Sequence, residues 1–208
     1  MKRSLTLLGV ALAILGWYAP WVTTQRQLAA LTFNALDLTE VCKFVVRAGP
    51  ANITREWFLV SLAAVALALA VWASQAPHTL RYALTGVAAL LSLVPLPPFL
   101  SGMSPLTFLL LAAFRSVEDR SSFWLSVAGL LGVALIFTFG QRITGRWRSV
   151  ALVGLALLGA APTSWELIAH VLPALSQVYA SPALLAWGFF VMVIGFALVV
   201  IGAVMRET

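Results

Sequence analysis

The sequence predicts an all-α fold: a polytopic transmembrane helix bundle of about six spans, with one short re-entrant or interfacial segment and an amphipathic outer-loop helix. Three observations carry that reading. Of 208 residues, 62% are apolar and 10% charged, against roughly 45–50% and about 25% in a soluble domain. The mean hydropathy is +0.99. The apolar residues also fall in runs, several as long as the roughly 17–25 residues that a helical crossing needs. Too few ionic groups remain to cover a water-facing surface, which excludes a cytosolic enzyme, a secreted disulfide scaffold and a disordered chain.

Residues 1–208 read as one integral membrane domain, with spans near 5–21, 57–73, 80–96, 123–140, 148–161 and 183–204 and an outer loop at 22–56. The first run follows Lys2-Arg3 and closes on Trp17-Tyr18-Ala19-Pro20-Trp21, an interfacial anchor. No small-x-small cleavage pattern follows, so an uncleaved span is expected rather than a secretory signal. In the outer loop Asp37-x-x-Glu40 suits a helix start. Leu38, Val41, Cys42 and Val45 then share one face, with Glu40, Lys43 and Arg47 opposite, the pattern of an amphipathic surface helix. Thr54 is placed as N-cap of the second span. Pro77 suits the first position of the third, and Pro95, Pro97 and Pro98 end it. Leu106–Phe114 is half a membrane thick and reads as re-entrant or interfacial. Ser104-Pro105 and Ser181-Pro182 look like helix starts, as does the capping box Thr163-x-x-Glu166 after Pro162.

Thirteen Lys+Arg against seven Asp+Glu leave a net charge of +6. With six spans both termini lie inside. The inner segments then hold Lys2, Arg3, Arg81, Arg142, Arg146, Arg148 and Arg206 against Glu207 alone, while cations and acids balance outside. Membrane insertion retains Lys and Arg on the cytoplasmic side, so the surplus speaks for orientation and not for nucleic acid. Trp17, Trp21, Trp57, Trp124, Trp165 and Trp187 are expected near outer ends and Trp72 and Trp147 near inner ones, as interfacial belts. Arg142, Arg146 and Arg148, beside Trp147, are candidates to hold anionic lipid headgroups.

Small residues mark helix faces that admit a close neighbour: Gly188, Gly195 and Gly202 on the last span, Gly9, Ala13 and Gly16 on the first, and Ala63, Ala66, Ala70 and Ala73 on the second. Packing within the chain explains such seams. The sharper alternative makes Gly188, Gly195 and Gly202 a partner-docking surface, together with Glu40, Lys43 and Phe44 of the outer loop.

Chemistry is sparse. Away from their ends the expected spans carry no charged residue, which argues against a proton-coupled transporter. Thr85, Ser92, Ser126 and Thr138 are the main polar groups at depth, and hydroxyls there usually bond back to their own helix. Glu166 and His170 stand four apart on a helix, but two ligands do not complete a metal site. One cysteine, Cys42, leaves no disulfide and no Cys-x-x-Cys site. No catalytic, cofactor or metal residues are therefore assigned, and no cofactor is expected.

The outer loop carries a resemblance. Trp17-Tyr18-Ala19-Pro20-Trp21-Val22, Asp37-Leu38-Thr39-Glu40-Val41-Cys42-Lys43-Phe44 and Arg55-Glu56-Trp57-Phe58 resemble a pattern in uncharacterised bacterial polytopic membrane proteins. The resemblance implies a bacterial inner-membrane protein defined by its outer loop and brings no activity. Three functions are weighed: a non-catalytic subunit of a larger membrane complex, with membrane-protein partners or copies of itself around it; a small-solute or lipid-binding transport component; and a lipid-modifying enzyme. The first is preferred.

Overall fold

A computed structural model describes residues 2–26, 29–48, 53–94 and 117–205. In chain order these are α1 (Lys2–Tyr18), β1 (Val22–Arg26), β2 (Ala29–Phe33), α2 (Ala35–Ala48), α3 (Glu56–Ala73), α4 (His78–Leu93), α5 (Val117–Phe139), α6 (Gly145–Glu166), α7 (Leu172–Tyr179), β3 (Ala183–Leu185) and α8 (Trp187–Val204). A 3-10 turn, Gly140–Arg142, follows α5, and a π turn, Leu167–Val171, joins α6 to α7. The re-entrant candidate Leu106–Phe114 and the breakers Pro95, Pro97 and Pro98 lie outside the described residues.

Four helical stretches are long and apolar enough to cross a membrane: Glu56–Ala73, Ser121–Arg142, Gly145–Tyr179 and Trp187–Val204. They overlap four of the six expected spans. Ser4–Tyr18 is apolar but shorter. The third expected span is the 16-residue α4, whose first half carries His78, Arg81 and Tyr82.

Helix α3 is the middle of the bundle and packs on α1, α4, α5 and α6. Its buried residues include Ala63, Ala64, Ala66, Ala68, Ala70 and Ala73, and such small side chains let several neighbours approach at once. The exposed large residues sit on the outward faces of the surrounding helices, among them Leu8, Leu90, Leu131, Leu157 and Ile194. That is the inverse of a soluble bundle, where outward faces are polar.

Helices α1 and α8 meet along the glycine seam. A Cβ added at Gly195 would come within 2.7 Å of the Gly9 carbonyl oxygen, and one at Gly9 within 2.6 Å of the Gly195 carbonyl oxygen. Only hydrogen at these positions permits the contact.

The all-α expectation needs one correction. A three-stranded antiparallel sheet, in the order β2-β1-β3, covers one end of the bundle. Val22 pairs with Phe33 on one side and Leu185 on the other. Val22-Thr23-Thr24 are all β-branched, and Thr32 and Phe33 are β-branched and aromatic, which suits strands, but each run is too short for its alternation to stand out. β3 comes from residues that hydropathy merges into the last span. The Ser181-Pro182 start is therefore displaced: a strand follows it, and α8 begins at Trp187.

Two further helix starts move. Asn34 and Asp37 form the capping box of α2, each accepting the other's backbone N–H through its side chain (2.9 and 3.1 Å). Asp37-x-x-Glu40 therefore lies inside the helix. No helix begins at Thr163 either, because α6 runs on through Pro162 to Glu166.

Candidate functional site

The polar groups gather at the sheet end, where the outer loop closes over the bundle. The loop is fixed at its entry by backbone bonds: Trp21 N–H donates to the Phe33 carbonyl, and Ala186 N–H to the Trp21 carbonyl, both at 2.7 Å. Trp17 and Trp21, expected at the interface, are instead fully buried. Trp17 Nε1–H donates to the Phe58 carbonyl (3.0 Å) and Trp21 Nε1–H to the Gly16 carbonyl (2.7 Å). A buried indole needs such a partner for its N–H, and the short return from α1 into β1 supplies one. Trp124, Trp147, Trp165 and Trp187 are more than half exposed, as a belt requires.

Helix α2 lies across this end with Leu38, Cys42 and Val45 buried and Glu40 exposed, as its periodicity predicts; Val41 and Lys43, expected on opposite faces, are both half-buried, and the Arg47 side chain lies outside the described set. Lys43 Nζ donates to both oxygens of Glu40, at 2.7 and 2.8 Å. Phe44 belongs to the same helix, and its side chain lies outside the described set.

Beneath α2 lies a buried acid. Glu166 is 5% exposed. Its Oε1 accepts the Thr54 N–H at 2.6 Å, and its Oε2 lies 3.2 Å from His170 Nδ1. Thr163, one turn earlier, donates its hydroxyl to the Trp57 carbonyl at 2.8 Å. The pair read as a local capping box thus stitches α6 to the beginning of α3, 106–112 residues away. Thr54 is not the N-cap of α3: Arg55 holds that position, and Thr54 donates its N–H to Glu166 instead. Alongside, Glu56 Oε1 accepts the Ser121 hydroxyl (2.8 Å) and lies 3.5 Å from Arg55 Nε.

These charges reach Cys42. Burial pushes its thiol up to about 12, with the Glu166 carboxylate adding to the rise, Arg55 opposing it and Glu56 adding further. The thiol is consequently neutral and inert as a nucleophile. Among the described residues, no three His, Cys, Asp or Glu side chains are grouped to hold a metal.

At the opposite end stand Arg81, Arg142, Arg146 and Arg148. Arg142 and Arg146 are exposed. Arg148 is 8% exposed, and its Nη2 donates to the Ile143 carbonyl at 2.9 Å. This corrects its place among the headgroup candidates: it faces the fold. Arg81 donates to the Phe137 carbonyl and lies over the Phe137 ring, 4.6 Å from its centroid.

The glycine seam is likewise reassigned. Gly188, Gly195 and Gly202 meet Pro20, Gly9 and Thr6 of the same chain, so this face is covered by the region of α1 and is closed to a partner. Of the deep hydroxyls, Ser92 and Thr138 bond back to their own helices. The Glu166 cross-link is what sequence reasoning missed: its signal was a carboxylate near an apolar run, and a local cap explained it equally well.

Fold and site together define a helical bundle with a small β-sheet cap, four of its helical stretches being long and apolar enough to cross a membrane. No family model, curated protein or solved structure matches the chain.

Proposed function

We propose that the chain is a non-catalytic integral membrane subunit that assembles with or stabilises a larger bacterial membrane complex. One observation carries the reading. Each carboxylate with a described side chain has a structural partner: Asp37 caps α2, Glu40 holds Lys43, Glu56 holds Ser121 and Arg55, and Glu166 holds Thr54 and His170. The acids thus consolidate a fixed cap rather than line a reaction site. A rigid platform with an exposed charged rim is what a docking partner can read with little ordering cost. In this reading the bilayer surrounds the bundle in the bacterial inner membrane, the sheet end faces outward and both termini are cytoplasmic. The arginines of the opposite end support that orientation.

The test is purification in mild detergent followed by mass spectrometry, on the wild type and on Glu40→Arg. A stoichiometric membrane-protein partner is expected, lost in the variant without a change in melting temperature. A lone chain carrying a bound small solute or lipid would overturn the assignment in favour of a transport component.

A further inference from the structure

We propose that Arg142 and Arg146 form a docking surface for anionic phospholipid headgroups at the end of the bundle opposite the sheet. The inference rests on the long apolar helices lying in a bilayer, and on the unequal use of four arginines. Arg81 and Arg148 spend their guanidiniums on the carbonyls of Phe137 and Ile143. Arg142 lies in the short connection between α5 and α6, Arg146 at the start of α6, and both are exposed. No carboxylate with a described side chain lies at this end to neutralise them. A guanidinium presents a planar fork of donors that matches phosphate oxygens.

Apolar neighbours identify the source of that phosphate. The Arg142 guanidinium stands 5.8 Å from the centroid of the Phe139 ring, which is 52% exposed. Trp147, next to Arg146, is 68% exposed, and Val150, one turn on, is 53% exposed. Cations bordered by exposed aromatic and aliphatic groups match the boundary between headgroups and acyl chains. A free phosphate would leave those apolar groups unused. Arg148 is a positioning residue here, since its bond to Ile143 ties down the connection that carries Arg142.

The test is native mass spectrometry of the full chain in detergent, titrated with phosphatidylglycerol or phosphatidylcholine at low salt. Preferential retention of phosphatidylglycerol is expected. It should fall about fivefold in Arg142→Gln or Arg146→Gln, and about thirtyfold in the double variant. The double lysine variant, which keeps both charges but loses the donor fork, should fall between wild type and the double glutamine variant. Equal retention of the two lipids would overturn the proposal, as would wild-type preference in the double glutamine variant. Displacement of the lipid by millimolar inorganic phosphate would also overturn it, assigning the arginines to a soluble anion. The lipid-free melting temperature should match in all variants and is the check on folding.

Discussion

Replacing Glu166 by alanine removes the cross-link between α6 and the start of α3. The Thr54 N–H donates to this carboxylate at 2.6 Å; Glu166 is 5% exposed but Thr54 itself is exposed, so water recovers part of the lost bond. A hydrogen bond to a charged group contributes about 1.5–3 kcal/mol, and a negative charge at a helix N-terminus adds about 0.3–1 kcal/mol. The His170 contact adds little, because that side chain is 41% exposed and solvent screens it. Glu166→Ala should therefore cost about 1–3 kcal/mol, below the sum of the two contributions because water reaches the exposed Thr54. Glu166→Gln keeps an oxygen facing Thr54 and should lose about half as much. Unfolding in mixed micelles measures both, and amide hydrogen exchange at residues 54–58 locates the effect. If the alanine variant stays within about 0.5 kcal/mol of wild type with unchanged exchange at Thr54, the cap assignment is wrong.

Two other outcomes follow from the packing. Gly195→Ala places a methyl within 2.7 Å of the Gly9 carbonyl and should cost at least about 1–3 kcal/mol. Gly86→Ala meets nothing within 4 Å and should instead stabilise α4 by about 0.5–1 kcal/mol, so melting temperatures moving in opposite directions check the seam. Cys42 should resist maleimide until α2 detaches. Its folded thiol lies above the ordinary value of 9.0, at about 12, so the folded state holds its proton longer. The stability linked to it is complete below pH 9 and is lost as the pH rises through 12; labelling kinetics against pH should follow that course, and rapid labelling of the folded protein at pH 8 would contradict it.

Legibility varied with the range of the forces involved. The amphipathic face of α2 was readable because Leu38, Cys42 and Val45 need only helical spacing to come together. Its start was misjudged by three residues, since Asn34 and Asp37 cap as well as Asp37 and Glu40 would and composition does not choose between them. The sheet was not readable. Ala183–Leu185 pair with Val22–Thr24 from more than 150 residues away, and hydropathy assigns those three residues to a span.

The seam shows the same division. The spacing of Gly188, Gly195 and Gly202 along one face shows that something approaches closely, and nothing in it says whether the neighbour is α1 or another protein. Buried tryptophans and interfacial ones have the same local sequence signature; Trp17 and Trp21 are distinguished by the carbonyls of Phe58 and Gly16 that the fold brings to them.

What the sequence determined by itself was the class of chain: too few charges for a water-facing surface, apolar runs long enough to cross a membrane, and arginines clustered at 142–148. Those are sums over many residues, and a sum survives errors about any one of them. Only the tertiary structure decided which arginines face outward, which glycines are already covered and what Glu166 is for. Each of those depends on a single contact between distant segments, and local spacing carries no information about which segments will meet.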